Sequence, residues 1–329
     1  MRESKKVLIG GTGKSGIAAA KMVLAMGGEA LIYNSNEDID QNAVLRQFKD
    51  TDKVELVKGE LRPVHLRGVH LAVLSPGIPL SADFINVIDR AKIPIIGELE
   101  LAYQASKGKL AAITGTNGKT TTTALVGEIL KKQYKDVHVA GNIGNPFSAE
   151  ALATSDDSAT VVEVSSFMLE TINDFRPHVS AILNITPDHL DRHLTMANYI
   201  RCKEAVTMNQ TEEDFVILNH ADSILRDFAA SKELKAKAVW FSSKDKPDGD
   251  AFWLDGDDIM YREAGIEKKL INVHELNLLG THNYENVMAA AAVAVKMGVA
   301  VDKIIEALKE FRAVEHRIEF VRERCKVKY

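Results

Sequence analysis

The sequence predicts an α/β protein with two units, each a mostly parallel sheet with helices on both faces. Three observations lead there. Short β-branched runs alternate with longer helical patterns, the mark of βαβ units. Two glycine-rich turns, Gly11–Gly16 and Gly115–Thr120, each follow such a run and open a helix. A length of 329 residues, at roughly 150 per domain, supplies two full-sized cores.

The first unit begins with a strand near Val7–Gly10, then the glycine turn and a helix carrying Ile17, Ala20 and Leu24 on one face. Strands at Ala30–Tyr33 and Val69–Leu74 follow, the second closed by Ser75-Pro76-Gly77. A further run, Ile93–Ile96, ends at Gly97-Glu98 ahead of a helix from Leu99, so residues 1–97 are read as the first domain. The alternation restarts with strands at Leu110–Thr114, Val137–Ala140, Thr160–Val164, Val179–Ile185 and Phe215–Leu218. From Val239 to Asn272, Asp-Gly turns separate short aromatic and β-branched runs, which read as edge hairpins. An Ala-rich helix from Asn283 to Met297 and another from Val301 to Phe311 complete a second domain over residues 98–313. Residues 314–329 read as a hinge and the first strand of something more.

Composition narrows the function. The balance of 41 Lys and Arg against 46 Asp and Glu, a net charge of −5, argues against binding a nucleic-acid backbone. Two cysteines, Cys202 and Cys325, cannot form a disulfide framework and point to a reducing compartment. The apolar start, VLIGGTG, is too short and glycine-rich for a signal peptide, and the run Val287–Val295 is about half of a bilayer span. The expectation is a soluble, cytoplasmic chain with neither a nucleic-acid nor a membrane partner.

Gly11-Thr-Gly13-Lys-Ser-Gly16 is a G-x-G-x-x-G between strand and helix, where backbone N–H groups can approach a diphosphate. Any tight strand-to-helix turn also favours glycines. A nicotinamide dinucleotide would want an acid roughly 20 residues on, where Asn34-Ser35-Asn36 stands, so another diphosphate is favoured. Gly115-Thr-Asn-Gly118-Lys119-Thr120 is a shortened phosphate-binding loop, with Ile113 where the general pattern has glycine. Its N–H groups would cradle phosphates, with Lys119 reaching the terminal ones and the Thr120 hydroxyl serving Mg²⁺. Glu163 ends an apolar strand, where an acid can hold Mg²⁺ or simply sit in water. His189, in Asp188-His189-Leu-Asp191, reads alone as a turn residue, and Lys203 alone as a solvated helix lysine. Together, Gly115–Thr120, Gly141-Asn142, Glu163 and His189 lie just beyond the C-terminal ends of expected strands. Those ends share one edge of a parallel sheet, which makes the set an ATP·Mg²⁺ site.

GTNGKT, GNIG, EVSSFMLE, NITPDHLDRH, the helix carrying Lys203, THNYEN and EHR occur in the order found in the Mur ligases, which the chain resembles over essentially its whole length. The turn at Gly11, the SPGI loop (Ser75–Ile78) and GELELAY (Gly97–Tyr103) look like the member that adds D-glutamate to UDP-MurNAc-L-Ala in peptidoglycan precursor synthesis. The resemblance implies a Rossmann-like first domain for the UDP end of that substrate, through Gly13, Lys14, Ser15, Asn34, Ser35, Ser75, Pro76 and Gly77, with Asn142 and Ser165 beside the muramoyl part. It implies a central ATPase domain in which Gly115, Thr116, Asn117, Gly118, Lys119, Thr120 and Thr121 hold ATP phosphates. His282, Asn283 and Asn286 would contact the adenosine, and Arg317 the phosphates near the hinge. Two magnesium sites are implied, one at Thr120 and Glu163, the other at His189 and a carbamylated Lys203. Lys119, His189 and Lys203 would be catalytic in a monomer that joins an acyl phosphate to D-glutamate. The family has a third, D-glutamate-binding domain, so this length of chain is expected to bind nucleotide without turning over. Readings left open are another member of the superfamily, such as a folylpolyglutamate synthase, a P-loop ATPase that hydrolyses ATP alone, and a non-catalytic nucleotide-binding module.

Overall fold

The computed structural model describes residues 5–312 and the backbone of the short strands 323–324 and 327–328. It bears out the α/β class. The first sheet is wholly parallel, in the order β3-β2-β1-β4-β5. Its strands are β1 (Lys6–Gly10), β2 (Glu29–Asn34), β3 (Val54–Lys58), β4 (Val69–Leu74) and β5 (Ile95–Gly97). The helices between them are α1 (Lys14–Ala25), α2 (Gln41–Leu45) and α3 (Asp83–Arg90). Strand β3 is absent from the sequence reading. It is an edge strand, paired with β2 alone and partly exposed in its burial pattern, so Val-Glu-Leu-Val-Lys lacks the apolar density of its neighbours.

Helix α4 (Glu98–Ala105) joins the two sheets through acids that the sequence reading left without a role. Glu98 is buried and accepts the Ser148 N–H at 2.6 Å, with burial holding its carboxyl above the usual range. Glu100 is fully buried and accepts the N–H groups of Asn173, Asp174 and Phe175. Glu98 therefore supplies an acceptor to the first turn of the helix Phe147–Glu150, and Glu100 to three successive N–H groups of the loop after the helix Ser166–Leu169.

The second sheet contains nine strands, ordered β14-β13-β12-β11-β10-β9-β6-β8-β7. In chain order the elements are β6 (Lys109–Thr114), α5 (Lys119–Lys131), β7 (Val137–Gly141), α6 (Phe147–Glu150), β8 (Ala159–Glu163), α7 (Ser166–Leu169) and β9 (Val179–Ile182). Then come α8 (Leu190–His193), α9 (Met196–Glu204), β10 (Phe215–Asn219), α10 (Ser223–Ala229), β11 (Lys237–Ser242), β12 (Ala251–Asp255), β13 (Asp258–Glu263), β14 (Ile266–Asn272), α11 (Thr281–Lys296) and α12 (Val301–Glu310). Pairing is parallel from β7 through β12; only β12, β13 and β14 form antiparallel hairpins. The expected hairpin region therefore begins later than Val239. β11 is a parallel strand between β10 and β12, and Val239 and Phe241 on it are buried. Aromatic and β-branched content marks strands of either direction, so it could not separate the two.

Helices α5, α11 and α12 pack on one face of this sheet, while α4, α6 and α9 lie over the other in a cluster shared with the first unit. Residues Val287–Ala294 of α11 are completely buried, which accounts for a helix apolar on all sides. Among the described residues no helix is long and apolar enough to cross a membrane.

Candidate functional site

Strand order in the second sheet turns at β6. β8 and β7 lie on one side of it and β9 and β10 on the other, leaving a crevice at its C-terminal end. The loop Gly115–Gly118 leaves β6 there and opens α5. Gly115 and Gly118 have φ of +144° and +85°, conformations that L side chains rarely adopt. A Cβ on Gly118 would lie 2.3 Å from Asn286 Oδ1.

The segment after β9 is spent on this loop, which is why β9 stops at Ile182 and not at Ile185. Thr116 N–H donates to Asn184 O at 2.9 Å, Asn117 N–H to Asn184 Oδ1 at 2.8 Å, and Thr186 N–H to Thr116 Oγ1 at 3.0 Å. Lys119 Nζ folds back onto the carbonyls of Gly115 (3.0 Å) and Thr116 (2.8 Å).

A cavity of about 390 Å³ holds this loop's inner face, lined by Thr116–Thr120, Asn142, Ile143 and Glu163. Glu163, the last residue of β8, is 2% exposed. Its Oε1 accepts Asn142 Nδ2 at 3.0 Å, while its Oε2 is buried with no hydrogen-bond partner. Glu163 thus lines the phosphate cradle with a buried carboxylate oxygen that has no donor, which fits a cation. The residues present therefore suit Mg²⁺, with Thr120 lining the same cavity.

A second cavity, about 590 Å³, opens between the two units. Gly13, Lys14, Ser15, Ser75, Pro76 and Gly77 line it from the first unit. From the second come Lys119, Asn142, Ser165, Ser166, Phe167, Asp188, His189, Tyr199 and Lys203. The glycine turn is sterically required, because a Cβ on Gly16 would lie 2.0 Å from Gly11 O. His189 is left-handed, with φ of 49°, and half exposed. Lys203 is 2% exposed; its Nζ donates to Gly115 O at 2.7 Å and lies 4.7 Å from the Tyr199 ring centroid. Burial, helped by the nearby Lys119 charge, lowers the Lys203 ammonium to about 7. Lys119 and Asn142 line both cavities, so the phosphate cradle adjoins the cleft.

Several expected site residues do not line these two cavities. Asn34 spends its amide on Thr12 Oγ1 at 2.6 Å, and neither it nor Ser35 lines the cleft. Asn283 and Asn286 are buried behind the loop. Asn286 Oδ1 accepts Thr122 Oγ1–H at 3.3 Å, and Asn283 Nδ2 donates to Leu279 O at 2.8 Å. Neither these two nor His282 and Thr121 line the two cavities. Arg317 lies outside the described residues. The sequence reading passed over Phe167, Tyr199 and Asn184. Tyr199, four residues before Lys203 on one helix face, carried a usable signal; the Asn184 contacts carried none, since they depend on tertiary approach.

Comparison with known proteins agrees with this layout. The Mur ligase middle domain matches residues 113–294, and the Mur ligase MurD-like N-terminal domain matches residues 5–97. The chain is 48% identical over 327 residues to the UDP-N-acetylmuramoylalanine–D-glutamate ligase of Lachnospira eligens, covering 99% of this chain and 72% of that protein. It is 49% identical over 325 residues to the protein of that name from Lachnoclostridium phytofermentans, covering 99% and 71%. Among solved structures, the UDP-N-acetylmuramate:L-alanyl-gamma-D-glutamyl-meso-diaminopimelate ligase from Neisseria meningitides superposes with a TM-score of 0.65 at 17% identity. That match covers 95% of this chain and 99% of that one, and at such identity it speaks for the fold alone. With the middle-domain match spanning over half its length, and the nucleotide loop, orphaned carboxylate and inter-unit cleft gathered on one sheet edge, the chain belongs to the Mur ligase family.

Proposed function

We propose that this chain is the part of an ATP-dependent amide ligase that binds ATP·Mg²⁺ and UDP-MurNAc-L-Ala, for addition of D-glutamate in peptidoglycan precursor synthesis. One observation carries the reading: Lys119 and Asn142 belong to both cavities. A triphosphate cradled by Gly115–Thr120 presents its terminal phosphate where a substrate lying along the cleft from Gly13 and Ser75 presents its carboxylate. The L-alanine carboxylate oxygen attacks the γ-phosphorus, and the bond to the β–γ bridging oxygen breaks, releasing ADP and leaving an acyl phosphate. The D-glutamate amine then attacks the carbonyl carbon, phosphate departs and the nitrogen loses a proton. Lys119, at the junction, offsets charge gathering on the transferred phosphoryl group.

Thr120 and Glu163 would hold one magnesium ion, and His189 with Lys203 a second; magnesium there would neutralise phosphate charge. An ammonium cannot ligate a cation. A lysine whose pKa stands at about 7 is largely a free amine above that pH. It can add to carbon dioxide, losing a proton and becoming a carbamate that offers carboxylate-like oxygens. This accounts for a buried lysine where the site wants an anion.

The test is calorimetric titration. The chain is expected to bind ATP·Mg²⁺, and to bind UDP-MurNAc-L-Ala more tightly than UDP-MurNAc or the UDP-muramoyl dipeptide. Lys119→Ala should weaken ATP about a hundredfold, through loss of charge-assisted hydrogen bonds, and leave UDP-MurNAc-L-Ala binding intact. Equal affinity for all three UDP-sugars, or ATP binding indifferent to Lys119, would overturn the reading.

A further inference from the structure

Arg192 stands one turn after His189, outside every role given above. Its Nη2 donates to Glu170 Oε2 at 2.6 Å, and its Nε to Glu170 Oε1 at 3.3 Å. Its Nη1 donates to Gly77 O at 3.3 Å and its Nη2 to Ile78 O at 3.1 Å. The guanidinium carbon lies 4.4 Å from the centroid of the Phe167 ring, which lies 5.0 Å from that of His189. Both members of the ion pair are largely buried, at 14% and 15% side-chain exposure. Among the described residues, these two bonds to carbonyls are the side-chain hydrogen bonds between residues 5–97 and residues 98–312, the bonds of the α4 acids falling within the second range.

We propose that Arg192 is a positioning residue, a latch that sets the width of the substrate cleft. The proposal rests on reading that cleft as the UDP-substrate site. Gly77 forms one wall, while Phe167 and His189 form the other, and one planar side chain touches the SPGI loop, the ring and the acid below it. The loop is pinned at its start by Ser75 Oγ–H donating to Gly10 O at 2.8 Å, and it closes on itself with Ile78 N–H donating to Ser75 O; the side-chain hydrogen bonds that hold its far end to the second unit come from Arg192. A substrate that spans both walls binds well only when their separation matches its length. A guanidinium can serve carboxylate and carbonyls together because its donors lie in one rigid fork; an ammonium cannot. The same contacts argue against a metal among Glu170, His193 and Cys202, whose ligand atoms lie within 4.8 Å of one another. Glu170 already carries the Arg192 charge, and His193 Nε2 lies 2.9 Å from Ser166 Oγ.

The experiment compares R192K with the wild-type chain by calorimetric titration and amide hydrogen exchange. UDP-MurNAc-L-Ala affinity should fall about tenfold, as for loss of one charge-assisted hydrogen bond, with ATP·Mg²⁺ affinity unchanged. Exchange at the Ile78 amide, which donates to Ser75 O within the loop, should accelerate. Glu170→Gln keeps the fork and weakens its anchor, so it should shift both readouts the same way by less, and it replaces R192K should that variant not fold. Unchanged UDP-MurNAc-L-Ala binding, or an equal loss for both ligands, overturns the latch. If the wild-type chain itself does not bind UDP-MurNAc-L-Ala, the cleft reading fails, and exchange at Ile78 alone decides for or against the latch.

Discussion

Glu163→Gln should make the unliganded chain more stable while removing its response to magnesium nucleotide. In the fold Glu163 is 2% exposed, with one oxygen on Asn142 and the other buried without a partner. The substitution keeps the first bond and exchanges a buried, half-satisfied charge for a buried, half-satisfied amide. Leaving a charged group unpaired costs several kcal/mol, and a neutral one about 1–3 kcal/mol, so the net gain is about 2 kcal/mol. For a chain of this size that raises the apparent Tm by roughly 3 °C. Wild-type chain at a hundredfold excess of ATP·Mg²⁺ over Kd should gain about 2.7 kcal/mol, and the variant should gain little of it. Paired thermal melts, with chelator and with ATP and magnesium, read both quantities. A variant that melts at or below wild type in chelator, or that keeps the full ligand shift, would refute the idea that this oxygen is reserved for a cation.

Gly118→Ala should lower stability by about 3 kcal/mol, from left-handed strain and loss of the Thr122–Asn286 bond, because its Cβ would lie 2.3 Å from Asn286 Oδ1. Urea melts check this, and an unshifted midpoint would count against the packed Asn286 described above. Lys203 supplies a pH dependence whose sign follows from its lowered pKa. Its folded value is about 7 against an ordinary 10.5, so between those limits the unfolded chain holds a proton that the folded chain has released. Stability therefore rises with pH across that window, and below it the cost of burying the ammonium is fully present. Relative to Lys203→Met, wild type should gain about 2 kcal/mol between about pH 7 and pH 9 in denaturant melts. Identical pH profiles would place the lysine in water.

The local grammar of the chain was enough for the α/β class and for the phosphate loop. A β-branched run, glycines at positions needing φ above zero, and a lysine at the helix start are constraints that neighbouring residues impose on one another. Most of the cleft was also legible, because parallel strands deliver their C-terminal ends to one edge whatever their order. Pairing direction was not: Val239 and Phe241 would be as apolar in a hairpin as they are in parallel β11. Nor was the early end of β9, where Asn184 leaves the sheet to hold the nucleotide loop. Asn286 reads as a ligand residue in its motif, yet its amide oxygen sits against Gly118 and Thr122. Arg192 carries no local signal for its partners, because the SPGI loop it holds lies over a hundred residues earlier. Sequence by itself determined which residues could bind phosphate and where most of the buried parallel strands begin, since those depend on backbone conformation and periodicity. Tertiary structure decided which polar atoms are already engaged and which, like Glu163 Oε2, are left over, because a hydrogen-bond partner far along the chain is chosen by packing alone.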